Sequence, residues 1–175
     1  MPKVSKGQIR KDEQKVLVEM RKNAKENINT IAKRCKFSSQ KVRRIIKQLE
    51  KDNTIFGYTA IFNEEKVGLK HFIMMAKRNS NKITEETVNQ IISRKLEDFT
   101  ATLGIAVESS FYVHGEYDWI ITFAARDIIH AKEFVNALLK LNPGIIQKIT
   151  LLETMMFIRK QYVLNPSRSK LKEFL

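Results

Sequence analysis

Apolar residues recur at helical spacing along the first third of the chain, and at mixed helix and strand spacings along the rest. Val16, Leu17 and Met20 follow Asp12 and Glu13, acidic residues suited to a helix N-terminus, and predict a first helix from Asp12 to about Lys22. Ile28, Ile31, Ala32 and Cys35 fall at i, i+3, i+4 and i+7, a short second helix with Asn27 or Asn29 as its cap. After the break Lys36-Phe37-Ser38, Ser38 is the N-cap expected for a third helix whose apolar stripe is Val42, Ile45, Ile46 and Leu49. The polar turn Glu50 to Asn53 then leads to an alternating run, Thr54 to Ile61, that reads as a wing strand continuing into a linker.

The remaining chain predicts a second unit. Residues 71–78 are strand-like, and 84–98 form a helix with Val88, Ile91, Ile92 and Leu96 on one face. Strands at 108–113 and 117–125 flank the compact turn His114-Gly115-Glu116. Asp127 caps a helix lined by Ala131, Phe134, Val135, Leu138 and Leu139, which Asn142-Pro143-Gly144 ends, and 145–158 returns as a long strand. The order is βαββαβ. The fold class is therefore α+β: a winged helix-turn-helix domain over 1–62, and a ferredoxin-like βαββαβ sandwich over 63–175. Two helices cover one sheet face, whereas Ile73, Met75, Phe123, Ile149 and Met155 supply apolar surface for both, so a homodimer is the expected cover.

Charge separates the two parts. Of the net +13 over 175 residues, residues 1–62 hold 16 Lys and Arg against 6 Asp and Glu, or +10, while 63–175 hold 16 against 13, or +3. Phosphate neutralisation needs local charge density, so the basic third suits a nucleic acid, although an anionic membrane surface would attract it too. On a helical wheel Gln40, Arg44, Lys47 and Lys51 oppose the stripe of the third helix, with Lys41 and Arg43 beside them. Two short helices and a tight turn, with that row facing outward, suit the DNA major groove, where Arg and Lys donate to guanine and Gln pairs with adenine. Gln40, Arg43, Arg44 and Lys47 are the expected base readers, and Lys33, Ser38, Ser39, Lys41 and Lys51 the expected phosphate contacts. The basic arm with Lys3, Lys6, Arg10 and Lys11 either adds further contacts or is a disordered tail.

Other chemistries find little support. The longest apolar run, Phe72 to Ala76, is five residues, far short of the roughly 18 to 20 of a membrane span, and neither a span nor a secretory signal is expected. A cytoplasmic protein is the expectation. The lone Cys35 excludes an internal disulfide and reads as a packed apolar residue. His71, His114 and His130 fall on separate elements, away from other metal-ligand types at ligand spacing, and no phosphate loop or nucleophile-elbow motif appears. No catalytic residue, metal or cofactor is expected.

The motifs resemble the Lrp/AsnC, or feast/famine, transcription regulators. The resemblance is carried by Ala32 to Ser38, Val42-Arg43-Arg44, Leu49-Glu50, Gly57 to Ile61 with Gly68, Val113 to Asp118, and Asn142-Pro143-Gly144. It departs at Lys36, where the family usually has glycine and a side chain must accept positive φ, and at 83–107, which is extended. The resemblance implies sheet-to-sheet dimers that assemble into tetramers or octamers, double-stranded DNA as partner, and an amino-acid effector between the sandwich domains. On that basis Gly115, Tyr117 and Asp118 are candidates for the effector site, with Asp118 accepting an α-ammonium group; the alternative is that Gly115 and Asp118 only shape the hairpin. Two rival functions stay open: a siroheme-decarboxylase-like enzyme, since those subunits resemble the same regulators in both halves, and an architectural protein that binds nucleic acid without sequence selection.

Overall fold

The computed structural model describes residues 6–93, 95–141 and 143–175. Lys3 and Asn142 lie outside the described residues, as do the side chains of Lys6, Ile91 and Leu96. The chain divides into two compact units, one of residues 1–61 together with 157–175, the other of residues 62–156.

The first unit is built on α1 (Lys6–Lys22), α2 (Ile28–Cys35) and α3 (Ser39–Lys51). Val16, Met20, Ile31, Ala32, Cys35, Val42, Ile45 and Leu49 form its core. Burial of Val42 and Ile45, three apart, and of Leu49, four further on, fixes the rotation of α3 about its axis. Asn27 caps α2, its side chain accepting from the Asn29 N–H at 2.8 Å, and the Ser38 hydroxyl accepts from the Lys41 N–H at 3.2 Å to cap α3. Between them Lys36 is left-handed (φ 57°, ψ 45°), with Phe37 N–H returning to the Ala32 carbonyl at 2.9 Å. The turn thus has the geometry of a glycine-ended helix with a lysine in the glycine's place. Cys35 is buried, its thiol set above the ordinary range by desolvation, and its Sγ donates weakly to the Lys15 carbonyl at 3.6 Å.

Two expectations for this unit are corrected. The first helix starts more than a turn earlier than predicted, so Asp12 is an interior residue, buried at 6% exposure, and Arg10 and Lys11 are helical rather than part of a loose tail. Residues 54–61 form no strand, because no neighbouring segment pairs with them among the described residues. The two-stranded sheet of this unit is β5 (Arg159–Lys160) with β6 (Val163–Leu164). The predicted second domain ran to Leu175, whereas residues 157–175 group with the helices.

The second unit contains β1 (Lys70–Arg78), α4 (Glu85–Ile92), α5 (Lys95–Thr102), β2 (Ala106–Tyr112), β3 (Trp119–Ala125), α6 (Ile128–Leu141) and β4 (Ile146–Glu153). The strands form one antiparallel sheet in the order β2-β3-β1-β4. Phe72 pairs with Phe123 and Met74 with Ile121, placing all four on the helix-facing side, where Phe123 stacks on Phe72 and meets Phe134 of α6 edge-on at 4.8 Å.

Two details differ from prediction, and the register decides a third. The helix expected over 84–98 is two helices, α4 ending where Ser93 turns extended (φ −86°, ψ 165°). The last strand stops at Glu153 rather than 158: Thr154 N–H reaches the His71 carbonyl at 2.9 Å, next to Lys70, the first residue of β1, so the partner strand ends there. The five residues expected to supply apolar surface to both faces are divided by the register: Phe123 and Ile149 belong to the covered core, Ile73 and Met75 lie on the open face with Ile120 and Leu152, and Met155 falls beyond β4.

Lys36→Gly is expected to raise the stability of the first unit by up to about 1 kcal/mol, because relief of the left-handed side chain outweighs glycine's extra freedom when unfolded. Denaturant unfolding of the two proteins checks this; an unchanged or lower midpoint would mean the turn carries no strain.

Candidate functional site

Because Val42, Ile45 and Leu49 point inward, Gln40, Arg43, Arg44 and Lys47 are all exposed on the opposite side of α3. None of the four makes a side-chain hydrogen bond or ion pair among the described residues. Lys33 on α2, Ser38 at the cap and Lys51 in the last turn of α3 are exposed as well. An outward row with three cations and an amide, none of them in an ion pair among the described residues, suits base edges and phosphates.

Two of the expected phosphate contacts sit differently. The Lys41 ammonium lies 2.6 Å from the Asp12 carboxylate and 4.0 Å above the Phe37 ring, so it clamps α1 and the α2–α3 turn to α3. Ser39 donates its hydroxyl to Asn29 Oδ1 at 2.6 Å and ties α3 to α2. Both are held within the domain because the first turn of α3 faces back toward its partners. Arg34, which sequence reasoning left unassigned, is likewise paired with Glu19 and Glu26, both at 3.4 Å.

Beyond α3, Tyr58 donates its hydroxyl to Glu50 Oε1 at 2.8 Å, tying the segment after the helix to its end. Burial, then the hydrogen bond and negative charge of Glu50, push the Tyr58 phenol up to about 12.

In the second unit, a cleft of about 320 Å³ lies among the ends of the four strands and the start of α4. Its wall is mostly apolar, from Ile83, Trp119, Ile145 and Ile146, with Arg78, Tyr112, Ser110 and Asp118 as polar groups. A few polar groups on an apolar wall is the usual composition of a small-molecule site. Asp118 Oδ2 accepts from the Arg78 N–H at 2.9 Å, and the Arg78 guanidinium donates to the Tyr112 hydroxyl at 3.1 Å and to the Asn81 carbonyl at 2.9 Å. Trp119 Nε1 donates to Ser110 Oγ at 2.7 Å.

The three effector candidates are not brought together. Asp118 lines the cleft, Gly115 is exposed in the β2–β3 connection, and Tyr117 bonds Thr150 at 3.1 Å on the sheet face away from the helices. Arg78 was missed; the available signal was a lone arginine ending an apolar strand, where the structure places a register shift. The histidines also need a correction. His71 is brought within 3.3 Å of Glu108, two strands away, across the small Ala124 of the strand between them. His71 also bonds Thr154 at 2.7 Å. The described residues contain no group of three or more metal-ligand side chains, and none of their helices is long and apolar enough to cross a membrane.

The geometry defines a class: a basic helix-turn-helix unit joined to a ferredoxin-like sandwich with a small cleft. Residues 13–55 match the family of winged helix-turn-helix DNA-binding domains. No curated protein matches the chain by sequence. Among solved structures, it is similar to an AsnC family transcriptional regulator from Agrobacterium tumefaciens (17% identity, 89% of this chain and 96% of that one, TM-score 0.65). It is similar also to a transcriptional regulator of Neisseria meningitidis in complex with L-methionine (22% identity, 94% and 98%, TM-score 0.62). A third is a feast or famine regulatory protein of M. tuberculosis complexed with L-methionine (16% identity, 87% and 98%, TM-score 0.65). The chain thus has the two-domain fold of the AsnC, or feast/famine, regulators over nearly its whole length.

The Tyr58 phenol carries a testable pH dependence. Its proton is held to about 12 in the folded unit but is lost near 10 when unfolded. Its contribution to stability is therefore complete below pH about 10 and declines as pH rises from there toward 12. Tyr58→Phe is expected to make the unfolding midpoint less sensitive to pH across that window, and to remove the latest step from the ultraviolet phenolate titration. A titration unchanged by the substitution would show that Glu50 does not hold this proton.

Proposed function

We propose that this protein is a sequence-specific DNA-binding transcription regulator, homodimeric or of higher even order, whose DNA affinity or assembly responds to an amino acid. The observation that carries the reading is the outward row Gln40, Arg43, Arg44 and Lys47, without side-chain partners among the described residues, on a helix whose rotation is fixed by its buried stripe. The match of residues 13–55 to winged helix-turn-helix DNA-binding domains supports it. So does the shared fold with proteins named as regulators, two of them complexed with L-methionine. Those names favour regulation over the decarboxylase reading. Lys33, Ser38 and Lys51 remain the phosphate contacts of choice, with Ser39 and Lys41 positioning the helix. A second subunit, packed on the open face that carries Ile73, Met75, Ile120 and Leu152, supplies the second recognition helix, so the site is a near-palindrome with half-sites about one turn apart.

For the effector, the cleft beside Asp118 offers a carboxylate for an α-ammonium group, the Arg78 guanidinium for an α-carboxylate, and an apolar wall for a side chain. Gly115 and Tyr117 serve this site only from outside the cleft, through the hairpin that sets Asp118 in place. The Val113 N–H bonds the Asp118 carbonyl at 2.8 Å to close that hairpin.

Two measurements test the reading. Duplexes selected from a random library supply a cognate site. Arg44→Ala should weaken binding to it by about 1 to 3 kcal/mol while affecting mixed-sequence DNA much less; equal losses on both would make Arg44 a phosphate contact, and failure to select any sequence would overturn sequence-specific binding. Asp118→Asn keeps an acceptor for the Arg78 N–H but removes the charge. It should weaken any response of DNA binding or assembly to L-methionine or another apolar amino acid by at least about tenfold, equivalent to roughly 1.4 kcal/mol; a normal response in this variant would place the effector elsewhere.

A further inference from the structure

Residues 157–175 follow the last strand of the sandwich, yet they group with α1, α2 and α3. The grouping redistributes the charge. Residues 1–61 and 157–175 together hold 21 Lys and Arg against 7 Asp and Glu, or +14, while residues 62–156 hold 11 against 12, or −1. The whole cationic surplus belongs to one unit. Five of its cations, Arg159, Lys160, Arg168, Lys170 and Lys172, come from the tail, whose single acid is Glu173.

The tail has defined structure. β5 and β6 pair around Gln161, which takes φ 55° in the turn. At the base of this hairpin Asn165 donates its side-chain amide to the Phe157 carbonyl at 2.9 Å, and its backbone N–H to the Ile158 carbonyl at 3.0 Å. Its side-chain oxygen accepts from the Ser167 N–H at 2.9 Å, leading into a 3-10 helix at Arg168–Glu173. The Arg21 guanidinium of α1 lies 5.0 Å from the centre of the Tyr162 ring, a cation–π contact that ties the hairpin to the helical unit. Arg159, Arg168, Lys170 and Lys172 are exposed, and none pairs with a carboxylate among the described residues. Four exposed, unneutralised cations on a short structured segment of an already basic unit repel one another and the rest of that unit, and a polyanion relieves that repulsion.

We propose that the β5–β6 hairpin and the 3-10 helix after it are a second DNA-binding element, one that holds the sugar-phosphate backbone and reads no base. The proposal rests on the DNA-binding reading of α3 and adds a binding surface remote in sequence from the helix-turn-helix. It follows that part of the affinity is the same for every sequence, with the selective part carried by α3.

The test uses the full chain and a mixed-sequence duplex, with dissociation constants measured by fluorescence anisotropy over a series of salt concentrations. A variant carrying Arg159→Gln, Arg168→Gln, Lys170→Gln and Lys172→Gln should bind at least about tenfold more weakly at low salt. Its log-log salt slope should be shallower by about 0.9 for each phosphate that the tail no longer neutralises. A control with Lys66→Gln, Lys77→Gln, Lys132→Gln and Lys140→Gln, all exposed in the sandwich, removes the same charge and should leave the slope unchanged. Lys170→Glu alone repeats the test should the fourfold variant not fold. A wild-type slope in the tail variants, or an equal loss in the control, would overturn the proposal. A flat salt response in the unmodified protein would instead overturn the DNA-binding reading on which it rests.

Discussion

The rotation of α3 about its own axis is the constraint on which the rest depends. A helix of this length can bury only one stripe, and Val42, Ile45 and Leu49 are buried against α1 and α2. Once that stripe is inside, helical geometry leaves Gln40, Arg44 and Lys47 no direction but outward, with Arg43 beside them. The Asp12–Lys41 pair, Ser39 bonded to Asn29, and the Ser38 cap hold the first turn of α3 against its neighbours without using any of the outward row. The side chains that position α3 are thus different from those that the proposed function assigns to recognition. That division matters because a recognition side chain already bonded to its own domain would have to break that bond before it could reach a base.

The division was only partly legible in the sequence. Helical periodicity shows which face of α3 is apolar, and the caps at Asn27 and Ser38 follow from residue type. The positive φ at Lys36 follows from its place at the end of α2. The partner of Lys41 does not, because Asp12 lies 29 residues away and reads locally as an acid at a helix start; only the longer α1 turns it into a buried group facing α3. In the sandwich, strand order and alternation were readable, but assigning Phe123 and Ile149 to the correct face required the register, and one residue of slip reverses every side chain. The cleft was the least legible feature. Arg78 comes from β1, Ser110 and Tyr112 from β2, and Asp118 from the β2–β3 connection, and they meet only after the sheet is assembled. Of the turn residues that the sequence singled out, Asp118 alone lines it.

The absence of a ladder at 54–61 has a similar explanation. Alternation marks a segment able to form a strand, but a strand needs a neighbour with free backbone groups, and sequence pattern does not say whether one is present. Tyr58 instead fastens this segment through its side chain to Glu50. The pairing that does occur in the helical unit is between residues near the end of the chain, with Asn165 satisfying the carbonyls that the short hairpin leaves open.

That return of the chain end also changes how the charge is understood. Divided by sequence position, the second part seemed mildly basic and the first strongly so. Divided by spatial grouping, the sandwich is close to neutral and the helical unit carries the entire excess. A near-neutral sandwich has little long-range attraction for a duplex, so its surface is left for interactions that do not depend on phosphate, such as a second subunit or a zwitterionic ligand of no net charge. A unit at +14 meets the duplex through a field that falls off within about 8 to 10 Å at physiological salt, so only cations held close to the phosphates contribute. Pinning the tail to α1 through Arg21 and Tyr162 keeps its cations on the helical unit, the condition on which the proposed backbone contact depends.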